Sequence, residues 1–158
     1  MRSDEKYKAT LERRARLVDE QNAAADKAKE AEQKRAAERR VLVDKFGRVR
    51  DLVQGAVTEK RGEVRRAGAD ISVVGGETME SIVVAYNRIV PATAPTTKRQ
   101  AKLRVSLNED GQVVATIVTG QYAENPAKVE WTPTPSEAFE NEDAIDLIQQ
   151  LVVEAEPS

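Results

Sequence analysis

The chain has no cysteine and no histidine. The first absence removes disulfides, thiolate metal sites and cysteine nucleophiles. The second removes the usual general base near neutral pH and the commonest metal ligand. Zinc sites and Ser-His-Asp hydrolysis are therefore excluded, whereas carboxylate-bound magnesium or calcium is not. Aromatic residues make up only 4 % of the 158 residues. No proline occurs before Pro91, so nothing forbids a long helix ahead of it. No run approaches 18 apolar residues, and the opening MRSDEKYKATLERR has no apolar core of the signal-peptide kind. No membrane is expected, and the expected location is cytoplasmic.

Large apolar side chains are also missing locally. Between Asp19 and Arg40 none is larger than alanine. A core must therefore be built mostly from residues 41 to 153, enough for one modest domain. Charge is divided as well. Residues 1–70 hold 19 Lys/Arg against 14 Asp/Glu, and residues 71–158 hold 6 against 13, so a net of +5 precedes a net of −7. Such a division suits head-to-tail contact, a polyanionic partner, or simple internal neutralisation.

Residues 3–67 read as helix. Ser3 is the expected N-cap, with Asp4 and Glu5 in the first turn where negative charge suits the dipole. The interior is rich in Ala, Glu, Lys, Arg and Gln. Arg65 and Arg66 fall in the last turn, and Gly68 is the expected C′ residue. Leu42, Phe46, Val49, Val53, Ala56, Val57 and Val64 share one arc that should lie on a sheet. Gly47, Gly55 and Gly62 fall on the opposite side, as a place of close approach, as a tolerated weakness, or as breaks that divide the helix.

After Gly68 the period becomes two. Strands are expected at 70–74, 81–89, 101–108, 112–119 and 127–131, with Gly75–Glu77 and Asn108–Gly111 as turns, the latter a four-residue hairpin. Pro91–Gln100 is a polar loop long enough to carry a contact. Ile82, Val84 and Tyr86 alternate with Val83 and Ala85, and Val113, Ala115 and Ile117 with Val114 and Val118. Apolar residues on both sides of these strands predict a sheet covered on both faces. Helix 41–67 would cover one face and the C-terminal helix, or a second subunit, the other. Pro133 and Pro135 should end the strands, and Ser136 or Asn141 should cap the last helix.

The expected fold class is α+β: a long N-terminal, coiled-coil-like helix, a four- or five-stranded antiparallel meander and a C-terminal helix. It divides into a protruding charged helix, 1–40, and a domain, 41–158, made of helix 41–67, sheet 70–132 and helix 136–155.

A heptad frame joins the two parts. Starting at Tyr7 and stepping alternately by four and three, the seam is Tyr7, Leu11, Arg14, Val18, Gln21, Ala25, Ala28, Glu32, Arg35, Arg39, Leu42, Phe46, Val49, Val53, Ala56 and Lys60. Both apolar flanks keep one frame across a polar middle that buries little. Such a segment is marginal alone and gains order from a partner. Tyr7, Leu11, Val18, Ala25 and Ala28 are the candidate partner-binding residues. The leading expectation is a non-enzymatic interaction or scaffold protein that meets itself, a dimer before higher oligomers, or another protein. The second is a nucleic-acid-binding protein that lays the basic helix 34–66 on phosphates through Arg35, Arg39, Arg40, Arg48, Arg61, Arg65 and Arg66. The aromatic residue within 34–66, Phe46, belongs to the apolar arc, so none interleaves with these arginines on the charged side for base stacking.

A site of a third kind would use Glu137, Glu140, Glu142, Asp143 and Asp146, but their spacing matches no EF-hand loop and their place suits a helix start. Trp131 and Tyr122 could line a pocket, although a lone Trp beside a sheet is more often core. Gly75 and Gly76 are followed by no phosphate-loop lysine. No catalytic residue, metal site or cofactor is assigned.

Overall fold

The computed structural model describes residues 2–75, 78–89, 101–119, 126–127 and 131–156. The fold is α+β: helix α1 (Arg2–Arg66), strands β1 (Ala69–Gly75), β2 (Ser81–Arg88), β3 (Ala101–Leu107), β4 (Gln112–Thr119), β5 (Pro126–Ala127) and β6 (Thr134–Pro135), a 3-10 turn (Ser136–Ala138) and helix α2 (Asn141–Ala155). By their internal contacts the residues form two units, Met1–Arg40 and Val41–Ser158. The expected loop 91–100, Tyr122, Gly76 and Glu77 lie outside the described residues, as does most of the strand expected at 127–131.

Helix α1 is one unbroken element of 65 residues. It already includes Arg2, so Ser3 sits inside its first turn and does not cap it. Asp4 and Glu5 still meet the positive end of the dipole, and Arg65 and Arg66 the negative end. At the C-terminus Gly68 adopts φ 82°, and its N–H donates to the Arg65 carbonyl at 3.0 Å. That left-handed residue satisfies an otherwise orphaned carbonyl and turns the chain into β1.

The second unit packs one layer of helix on one face of an antiparallel sheet. The strands run in the order β1-β2-β3-β4-β5, with β6 also pairing β4. Register places Ile71 beside Tyr86, Val84 beside Leu103, Ile82 beside Val105 and Leu103 beside Ile117. Paired residues share a face, and these are all buried. Phe46, Val49, Val53, Ala56 and Val57 of α1 join them in a single core, together with Leu147, Ile148 and Leu151 of α2.

The expectation of cover on both faces is therefore corrected. The Val41–Arg66 part of α1 and helix α2 share the same face of the sheet. The opposite face carries Ala85, which is buried, Val83, Val114 and Val118, which are half-buried, and Lys102, Arg104 and Thr116, which are exposed. Neighbouring side chains on a twisted sheet shade one another, and β-branched residues suit a strand whether or not a second layer lies over it. Among the described residues, apolar side chains on both sides of β2 and β4 thus do not correspond to a second covering layer.

The β3–β4 connection is Asn108–Gly111, the four residues expected, with Gly111 at φ 78°. The Asn108 N–H donates to the Gln112 carbonyl at 2.9 Å, and the Gly111 N–H to the Asn108 carbonyl at 3.1 Å. Two smaller departures have simple causes. Pro135 pairs with Gln112, a two-residue bridge at the margin of the sheet, where proline's missing N–H is tolerated. Glu140, not Ser136 or Asn141, is the N-cap of α2, in a capping box where Asp143 accepts the Glu140 N–H at 2.8 Å.

A Cβ added to Gly55 or Gly62 would meet nothing within 4 Å, so among the described residues nothing exploits these positions for close approach. Each is an exposed helix-interior glycine. Gly55→Ala and Gly62→Ala should each stabilise the protein by about 0.5–1 kcal/mol, read as a higher denaturation midpoint.

Candidate functional site

In the first unit every residue from Arg2 to Glu38 is exposed. Tyr7 is 66 %, Leu11 50 %, Leu17 46 % and Val18 43 % exposed. Ala25 and Ala28 lie on the same seam and are exposed too. The five candidate partner-binding residues are thus all on one helix and all reachable from solvent. Leu17, one position before Val18, widens the apolar strip and was not among the candidates. Its signal was a side chain larger than alanine just outside the four-three stepping. The seam changes role along the same helix. Phe46, Val49, Val53 and Ala56 continue it in the second unit, where all are buried in the core.

Among the arginines proposed for phosphate contact, Arg48, Arg61 and Arg65 are held within the chain. Arg48 donates to the carbonyls of Ser136 and Phe139 at 3.0 and 2.7 Å and lies 3.4 Å from the Glu140 carboxylate. It ties α1 to the segment that leads into α2. Arg61 grips Asp70 with two hydrogen bonds, at 2.9 and 3.2 Å, and Arg65 adds a third at 3.2 Å. These three guanidinium groups already hold acceptors within the chain. Arg35, Arg40 and Arg66 are exposed, and Arg39 is half-buried.

Asp70 sits between those two arginines, just past the turn at Gly68. The hydrogen bond from Arg61 is the main reason its carboxyl is pulled from the ordinary 3.8 to about 2, against a smaller opposing effect of burial. A carboxyl whose folded pKa is depressed adds stability above its unfolded pKa and loses it as pH falls through the folded value. Asp70→Asn should therefore cost roughly 1 kcal/mol at neutral pH. The gap in melting temperature between variant and wild type should narrow from pH 4 to pH 2.

The acidic residues around the start of α2 are mostly occupied structurally. Glu137 reaches Lys45 at 2.7 Å, which lowers its pKa, while Glu140 and Asp143 form the capping box. No group of three or more Asp, Glu, His or Cys side chains among the described residues is placed to hold a metal ion. Trp131 stacks at a tilt on Phe139, ring centroids 5.8 Å apart, and packs against the core.

Two further features had no local signal in the sequence. The Tyr86 hydroxyl donates to Glu156 at 2.6 Å, and Arg88 pairs with the same carboxylate. Burial and that hydrogen bond push the Tyr86 hydroxyl up to about 12. An apolar groove of about 490 Å³ runs between the last turns of α1 and α2, lined in part by Val64, Ala67, Ile148, Val152 and Val153. Its charged lining residues are Lys60 and Glu63, which hold each other at 3.8 Å. No converging polar groups mark it as a reaction site.

No helix among the described residues is long and apolar enough to cross a membrane. No protein-family model matches the chain, and neither a curated protein nor a solved structure is found to be similar to it.

Proposed function

We propose that the protein is a non-enzymatic interaction or scaffold protein that works by contact through the first 40 residues of α1. The observation that carries this reading is the exposed strip of Tyr7, Leu11, Leu17 and Val18 on a helix segment that buries nothing of its own. Isolated helices draw only marginal stability from propensity and side-chain pairs. In proteins most of it comes from packing an apolar face, and among the described residues this face is exposed and lacks a counterpart. Exposed apolar strips on otherwise charged surfaces mark contact sites. The counterpart is a second copy or another protein, in the cytoplasm. Use of the helix on nucleic-acid phosphates has less support, because Arg48, Arg61 and Arg65 are engaged within the chain.

Light scattering on the full chain is the test. The expected mass is that of two or more copies, reverting to one in the double variant Leu11→Glu, Val18→Glu. Both positions are exposed, so core stability should change by less than about 0.5 kcal/mol. A mass of one copy at every concentration overturns self-association, and an oligomer indifferent to the two glutamates overturns the placing of the contact on this strip.

A further inference from the structure

We infer that the partner of the exposed seam is a second copy of this chain, bound antiparallel, with Arg14 of each copy facing Glu32 of the other. The inference rests on the interaction reading above and adds partner, direction and register to it. Its basis is the charged residues that interrupt the seam. In a parallel pair each seam residue meets its own twin. Arg14, Glu32, Arg35 and Arg39 would then each face an identical charge in the least solvated part of the contact. Four like-charge layers in one short seam oppose that arrangement.

An antiparallel pair sets early seam residues against late ones. When Arg14 meets Glu32, the layers between them fall into place: Val18 against Ala28, and Gln21 against Ala25, each twice about a two-fold axis near residue 23. Larger side chains meet smaller ones, which lets two alanine-rich helices approach closely. Leu11 lies against the aliphatic stem of Arg35. The flanks agree with this register. On one side Leu17 comes beside Ala31 and Ala24 beside itself, and on the other Lys8 comes beside Ala36 and Ala15 beside Lys29. No like charges face each other in the seam or on these flanks.

The two neighbouring registers are worse. A slip of one heptad one way puts Arg14 against Arg39. A slip the other way puts Lys8 against Lys29 on the flank and unpairs Arg14 from Glu32. The favoured overlap runs from Tyr7 to Arg39, so it uses nearly the whole unit that ends at Arg40 and none of the unit that begins at Val41. The four apolar side chains larger than alanine that are exposed in this segment, Tyr7, Leu11, Leu17 and Val18, all fall inside it.

Because the chain has no cysteine, single thiols give an unambiguous readout. Val18→Cys and Ala28→Cys full-length variants, mildly oxidised, should each stay uncross-linked alone and form a disulfide-linked pair when mixed in equal amounts. Sedimentation should show Arg14→Glu and Glu32→Arg each weakening the dimer by about tenfold or more, and the double swap restoring it. Cross-linking of either thiol variant by itself, or single reversals that leave the dimer unweakened, overturns the antiparallel register while leaving the interaction reading intact. A full chain that remains one copy at all concentrations overturns this inference together with the self-association form of that reading.

Discussion

Phe46→Ala should lower the stability of the Val41–Ser158 unit by about 3–5 kcal/mol. Phe46 is fully buried and, among the described residues, is one of the two largest fully buried side chains, Phe139 being the other. It stands on α1 four residues beyond Leu42 and three before Val49, on the arc that meets the sheet. Removing the ring takes away its transfer free energy and leaves a cavity that close-packed neighbours fill only partly. Against a total stability of about 5–15 kcal/mol for a domain of ordinary size, that is a large share. Urea titration measures it. The informative comparison is Leu11→Ala, a smaller deletion on the same helix and the same seam but at an exposed position, which should move the midpoint by less than about 0.5 kcal/mol. A similar loss at both sites would mean that the first unit is as packed as the second.

The second large effect belongs to Gly111→Val, expected to cost about 2–4 kcal/mol. Two causes add. The residue sits at φ 78°, a conformation that β-branched side chains strongly resist. Its Cβ would also stand 2.7 Å from Leu42 Cδ1 and 2.8 Å from Cδ2, so the tip of the β3–β4 hairpin abuts helix α1. Leu42 is half-buried and has some room to turn aside. A double-mutant cycle with Leu42→Ala should therefore recover the steric part and leave the conformational part. No recovery would show that backbone strain alone sets the cost. Gly55 and Gly62, with open space around them, are the opposite case and should gain from a methyl group.

The elements of the fold were legible because their signals are local. Proline is absent until Pro91, the helix formers are continuous, and Gly68 follows two arginines, so both the length of α1 and its end could be read. Alternation of Leu103, Val105 and Leu107 with Lys102 and Arg104 gave β3 its buried and exposed sides correctly. Layering was not legible. Val83, Val114 and Val118 are the residues a strand prefers, and preference for strand is indistinguishable from burial when only residue types are seen. The long-range fastenings were also invisible: Tyr86 and Arg88 meet Glu156 some 70 positions later in the chain, and Arg48 meets carbonyls about 90 later. Nothing within a turn of helix or a pair of strands announces either. The bracket around Asp70 was within reach, since Arg61 and Arg65 stand nine and five residues before it across a single glycine turn. For the exposed seam, residue identities were enough to name Tyr7, Leu11 and Val18, but their solvent exposure is a finding of the three-dimensional structure.

The packing of Trp131 on Phe139 gives the molecule an optical property. This is the chain's single tryptophan, and it belongs to the unit that starts at Val41. Emission excited at the red edge of the absorption band, where tyrosine is silent, therefore follows the melting of the sheet unit and is blind to residues 1–40. Ellipticity at 222 nm is weighted towards helix and sees both. Two heating curves from one cuvette thus separate the two units, and the interval between them should shrink as protein concentration rises if the first 40 residues are held by a companion.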